Sequence, residues 1–189
     1  MAYKAIDIAK KIVCKTDVEH GDTISNLKLQ KLLYFAQGFH LAAFGEALFD
    51  EDMIAWTYGP VVPVVYDVYK KYRKRAINTA GVTDSVTLAP QEASLFDKVY
   101  YEYSRYSAVA LMQITHSAGP WLNHKVGEVM PKNEIRDYFM TLRLPDQAPM
   151  AAPSTSFDEA YMQNLIQLSA PSWKGVTDAD AWIHQLRGE

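Results

Sequence analysis

Residues 27–44, LKLQKLLYFAQGFHLAAF, constrain the fold of this chain more than any other stretch. Leu29, Leu32, Leu33, Ala36, Phe39 and Ala43 fall on one wide stripe at helical spacing, with Lys28, Lys31 and Gln37 off it. An apolar face this broad cannot be covered by a single neighbour, so the segment reads as a central helix packed by several others. Ser25 is placed to cap its start and Gly45 to end it. Gly38 costs a helix about 1 kcal/mol relative to alanine, so it marks a close crossing by another element.

The covering elements follow from the same periodicity. Residues 3–14 place Ile6, Ala9 and Val13 on one stripe, flanked by Ile12, with lysines opposite. LFDEDMIAW (48–56) reads as a small hairpin turning at Asp50-Glu51-Asp52. In YGPVVPVVYDVYKKYRKR (58–75), Pro63 would remove a ladder donor from a strand but suits the first turn of a helix. Pro90 opens a further helix through Leu95, Val99, Glu102, Tyr103 and Tyr106, and Ser107 caps the next. AGPW (118–121) breaks that one, and Pro131 starts another through Ile135 and Phe139. The expected fold is mainly α, a compact multi-helix domain with one small β-hairpin.

The composition shifts at 145. LPDQAPMAAPSTS contains Pro145, Pro149 and Pro153, so 145–156 reads as a linker. Ser156 with Glu159, and Thr177 with Asp180, then start two helices in a C-terminal extension spanning 157–189. The domain is expected to end at 144. Of the chain's net charge of -3, residues 145–189 carry -4 (acids 146, 158, 159, 178, 180 and 189, bases 174 and 187), leaving +1 for the rest. A near-neutral domain with an acidic tail is not a bulk polyanion binder. The single cysteine, Cys14, excludes an internal disulfide framework and a CxxC motif. No apolar run reaches the roughly 18 residues of a membrane span. The start, MAYKAIDIAKKIV, is broken by lysines and carries Asp7, so it does not read as a signal peptide. Together these features read as a cytoplasmic domain with no membrane contact.

No catalytic or metal-binding motif is assembled. The histidines at 20, 40, 116, 124 and 184 form no HExxH, and P-loop, GxSxG and GxGxxG patterns are absent. The acids at 50–52 read as solvated rather than as a catalytic pair. His116 could act as a general base near Trp121, but the plainer reading is a ring bonded at a helix end. The expectation is therefore a non-enzymatic chain without cofactor or metal. KKYRKR (70–75) interleaves five bases with Tyr72. It reads as a solvated helix end first, then as a site for an acidic partner or for nucleic acid. Trp56, Tyr58, Tyr66 and Trp121 cluster around two Gly-Pro turns, 59–60 and 119–120. Such corners pack a core, and they can also form a preformed aromatic groove for a protein.

LKLQKLLYFAQGFH (27–40), AW (55–56), YGPVVPVVY (58–66) and THSAGPW (115–121), in that order, resemble the Panacea domain, also described as SocA-like or phage-associated GepA-like. The resemblance covers roughly residues 3–142. It implies a helical antitoxin encoded beside a bacterial or phage toxin gene, neutralising the toxin by direct protein binding. A protease or chaperone system is a further implied partner. On this resemblance Lys28, Leu32, Tyr34 and Gln37 belong to the signature helix, Trp56, Gly59, Pro60, Val61 and Tyr66 to the second motif, and Thr115, His116, Pro120 and Trp121 to the third. The expected partner-binding residues are Gln37, Trp56, Tyr58, Gly59, Pro60, Tyr66, His116 and Trp121. A nucleic-acid-binding regulator using 70–75 is the alternative.

Overall fold

A computed structural model describes residues 2–16, 23–117 and 119–142. All lie in Met1–Pro149, the first of two units into which the chain divides. The expectations for the linker 145–156 and the extension 157–189 lie outside the described residues. The elements run α1 (Ala5–Cys14), α2 (Asn26–Phe44), β1 (Met53–Trp56), β2 (Gly59–Val61), α3 (Pro63–Tyr69), α4 (Pro90–Ser104), α5 (Ala108–Ser117), β3 (Val129–Met130) and α6 (Lys132–Phe139). Among the described residues no helix is long and apolar enough to cross a membrane. The fold is mainly α, as expected.

Helix α2 is the centre. The Ser25 hydroxyl accepts the Lys28 N–H at 3.3 Å, and Gly45, at φ +72°, closes the helix with its N–H on the Leu41 carbonyl. Helices α1, α3, α4, α5 and α6 and strand β2 all pack on it. Burial therefore runs unbroken from Leu29 to Leu41. This corrects the expected stripe. Lys31 and Gln37 are fully buried rather than off the apolar face, and Ala43 is exposed.

Smaller shifts follow the same logic. In α1, Ile8 joins Ala5, Ala9, Ile12 and Val13 in the core, while Ile6 is only half-buried. In α4 the inward residues are Phe96 and Val99, with Leu95 at the edge of the face. Tyr103 then stacks on Phe35 of α2, ring centres 3.9 Å apart. Glu92 ties the assembly together. It accepts the Tyr3 hydroxyl at 2.7 Å and the Ala89 N–H at 3.0 Å, and lies 3.3 Å from Nε2 of His40.

The hairpin is real but displaced. Its turn is Thr57-Tyr58, joining β1 to β2 in the register Ile54↔Val61 and Trp56↔Gly59, and β3 pairs on the other side of β1. The acids 50–52 precede it and serve as ties. Glu51 accepts the Ala5 N–H at 2.9 Å, and the Lys132 ammonium reaches the Asp50 carbonyl and the Asp52 carboxylate. Pro60 is tolerated because β2 is an edge strand that has no further neighbour to donate to. Pro63 opens α3, as its missing N–H predicts.

Gly38 is the crossing point of α2 and α6. A Cβ there would lie 2.3 Å from the Phe139 ring, itself 1% exposed. Gly38→Ala gains about 1 kcal/mol of helix propensity but overpacks a full core, at a cost of about 1–3 kcal/mol or more. A net loss of stability is expected in urea denaturation, and Phe139→Leu in the same chain should recover part of it.

Candidate functional site

The two Gly-Pro corners converge where β2, α5 and the 3-10 turn Pro120–Asn123 meet. Both need glycine for two reasons. Gly59 has φ +95° and Gly119 φ +86°. An added Cβ would lie 2.5 Å from Lys31 Nζ and 2.7 Å from Thr115 Oγ1 at Gly59, and 2.8 Å from the Tyr138 ring at Gly119.

Lys31 is the post beneath the first corner. Its Nζ donates to the Pro60 carbonyl at 2.9 Å. Burial holds its amine well below the ordinary lysine value, and no carboxylate offsets that among the described residues. An ammonium would present three donors to a site that offers this carbonyl, so the neutral amine is the form that fits. Thr115, also buried, turns its hydroxyl onto the Met112 carbonyl at 2.8 Å.

Outside this post lies an aromatic corner. Trp121 Nε1 donates to the Trp56 carbonyl at 2.9 Å, linking the second corner to the hairpin. His116 stacks flat on Trp121, ring centres 3.8 Å apart and 8° from parallel. Trp56 meets Tyr66 of α3 edge-on at 4.8 Å. The His116 ring is held at a pKa of about 4, chiefly by burial. Its Nε2 is buried and has no hydrogen-bond partner among the described residues. No carboxylate orients it, and no cluster of three or more His, Cys, Asp or Glu able to hold a metal occurs among the described residues. The arrangement can present a fixed surface; it does not assemble a nucleophile, base and orienting group.

The structure thus brings together Trp56, Gly59, Pro60, Tyr66, His116 and Trp121, with Tyr58 half-buried in the hairpin turn beside them. Gly59 and Pro60 are buried, so they shape the corner rather than face a partner. Gln37 does not belong to it. Its amide bridges the backbone of Leu48 and Phe49 through three hydrogen bonds of 2.9–3.1 Å, a structural task. Leu32 and Tyr34 are core residues at 3% and 1% exposure, and Lys28 is half-buried in the first turn of α2. Lys31 and Thr115 were missing from the expected site. No local signal marks Lys31, because the stripe of 27–44 leaves it off the inward face and only the packing of β2 and α5 over that side buries it.

Two titrations follow. Lys31 keeps its proton in the unfolded chain up to about pH 10.4 but loses it more easily when folded, so folding releases a proton. Stability should rise with pH on the approach to the unfolded-state value of about 10.4, and Lys31→Met should flatten that slope in denaturant titrations. His116 is neutral when folded down to about pH 4 and has a model value of 6.5. The wild type should therefore lose stability as pH falls below 6.5, a limb that His116→Phe, which preserves the ring stack, should lack.

The comparisons with known proteins come down on this region. Residues 29–122 match the family model described as antitoxin SocA-like, Panacea domain. The chain is similar to Antitoxin SocA of Caulobacter vibrioides (strain NA1000 / CB15N), 38% identical over 109 residues, which is 52% of this chain. It spans 58% of the length of that curated relative. No solved structure matches. The matched span runs from the first buried leucine of α2 to the 3-10 turn that carries Trp121, and so takes in both Gly-Pro corners, Lys31 and the aromatic stack: over these residues the chain is similar to the SocA-like Panacea domain.

Proposed function

We propose that this protein is an antitoxin, acting in the cytoplasm by binding a cognate toxin directly and without catalysis. The similarity to Antitoxin SocA over the Panacea domain carries the reading. The corner around Trp56, Tyr66, His116 and Trp121 supports it in physical terms. Its turns are set by positive-φ glycines and its rings by stacking and a backbone hydrogen bond. A surface already held in one shape loses little entropy when a partner docks.

The test is co-expression with the product of the adjacent open reading frame. That protein alone should arrest growth, and this chain should restore growth and co-purify with the neighbour. Titration separates a binder from a catalyst, since a binder rescues only at about one copy per toxin molecule, whereas full rescue at a small fraction of that ratio would indicate turnover. Tyr58→Ala and Trp121→Ala should weaken co-purification. Trp121→Ala should also lower the melting temperature through loss of the His116 stack and the Trp56 bond, by less than the about 3–5 kcal/mol of a fully buried ring, since Trp121 is half-buried. Retention on duplex DNA with a steep salt dependence, in place of toxin binding, would favour a nucleic-acid regulator.

A further inference from the structure

Helix α3 and the basic turn after it form a surface that the packing of the domain does not explain. The helix buries Val65 and Tyr69, yet Val64 and Val68, one turn apart on the adjacent face, are 51% and 48% exposed. Valine is a poor helix former, and half-exposed it recovers little of that cost through burial. Lys71 continues the same row at i, i+4, i+7 from Val64.

Beyond it the chain is held in a defined turn. Tyr72 stacks against Tyr69 with centres 6.4 Å apart, and Lys71 Nζ sits 5.2 Å from the centre of the Tyr72 ring. Arg73 adopts φ +51°, the positive value that a non-glycine residue takes among the described residues. This turn directs Arg73, Lys74 and Arg75 to solvent. From 67 to 75 there are five bases, at 70, 71, 73, 74 and 75, and one acid, Asp67, giving +4. Asp67 pairs with Lys70 at 2.8 Å, while Arg73, Lys74 and Arg75 make no ion pair among the described residues. The strip therefore passes from two exposed valines into a cluster of unneutralised cations.

We propose that this strip, Val64, Val68, Lys71 and Arg73–Arg75, docks an amphipathic segment of the toxin, an apolar ridge flanked by acidic residues. The inference rests on the antitoxin reading and extends the contact surface from the aromatic corner along α3, to which Tyr66 links it. Charge complementarity selects an acidic partner, and the valines select a protein over a nucleic acid. A phosphate backbone would use the cations and leave the apolar pair exposed.

Two variant sets test this, each measured with the purified product of the adjacent open reading frame. One is Val64→Ser with Val68→Ser; the other is Lys71→Glu, Arg73→Glu, Lys74→Glu and Arg75→Glu. Each set should keep the wild-type melting temperature and lower toxin affinity at least tenfold. The valine set should act mainly through faster dissociation, and the charge set through slower association and loss of salt dependence. If either set lowers the melting temperature, Val68→Thr and Lys74→Gln with Arg75→Gln replace it as milder changes, with a severalfold loss expected. Wild-type affinity in both sets overturns the docking strip while leaving the antitoxin reading in place. If the wild-type chain itself fails to bind, both fall. If only the charge set has an effect, and it acts on duplex DNA retention rather than on toxin affinity, the strip is a nucleic-acid site and the proposal is wrong.

Discussion

Helix α2 is enclosed on every side, and that enclosure requires each polar side chain on its buried stretch to find a partner in the surrounding loops. Gln30 accepts the Val62 N–H at 2.8 Å, Lys31 donates to the Pro60 carbonyl at 2.9 Å, and Gln37 bridges Leu48 and Phe49. These are the segments that enter and leave the small sheet. A buried polar group left unbonded costs about 1–3 kcal/mol, so the loops are held where the helix presents its donors and acceptors. The sheet is short, with strands of four, three and two residues, and would not be stable alone. Its position comes from the helix beneath it.

The aromatic layer does the complementary work on the other side. Tyr34, Phe35 and Phe39 of α2 meet Tyr103 of α4 and Phe139 of α6 in a set of stacked and edge-on contacts with centres 3.9–6.0 Å apart. Gly38 lets the Phe139 ring lie against the α2 backbone, which brings α6 close enough for those edges to meet. Apolar burial supplies the attraction here, and ring geometry limits how the helices can slide. The polar ties then fix the loops on the face that carries the two Gly-Pro corners.

That division bears on the proposed function. A protein that neutralises another by binding needs a surface whose shape precedes the encounter, and the corner has one. Its glycines are irreplaceable on both conformational and steric grounds, and its rings are locked by Trp121 and His116. Lys31 contributes from below without touching the surface. The exposed row on α3 differs in kind, since folding explains neither its valines nor its cations.

Much of this was legible from residue order alone. The α2 apolar pattern, its Ser25 and Gly45 ends, and the proline starts of α3 and α4 follow from local rules, because each depends on the chain within a few residues. The burial of Lys31 and Gln37 does not. A stripe on a helical projection assigns one face inward, and only the neighbours show that every face is covered. The hairpin turn was misplaced for a similar reason: Asp50–Asp52 look like turn residues locally, but Glu51 and Asp52 are drawn to Ala5 and Lys132 from distant parts of the chain. Likewise Trp56, His116 and Trp121 can be singled out one at a time by residue type. That His116 lies flat on Trp121, and Trp121 on the Trp56 backbone, was settled by the meeting of two corners some sixty residues apart in sequence. Long-range packing, not local propensity, turned a list of aromatic residues into a surface.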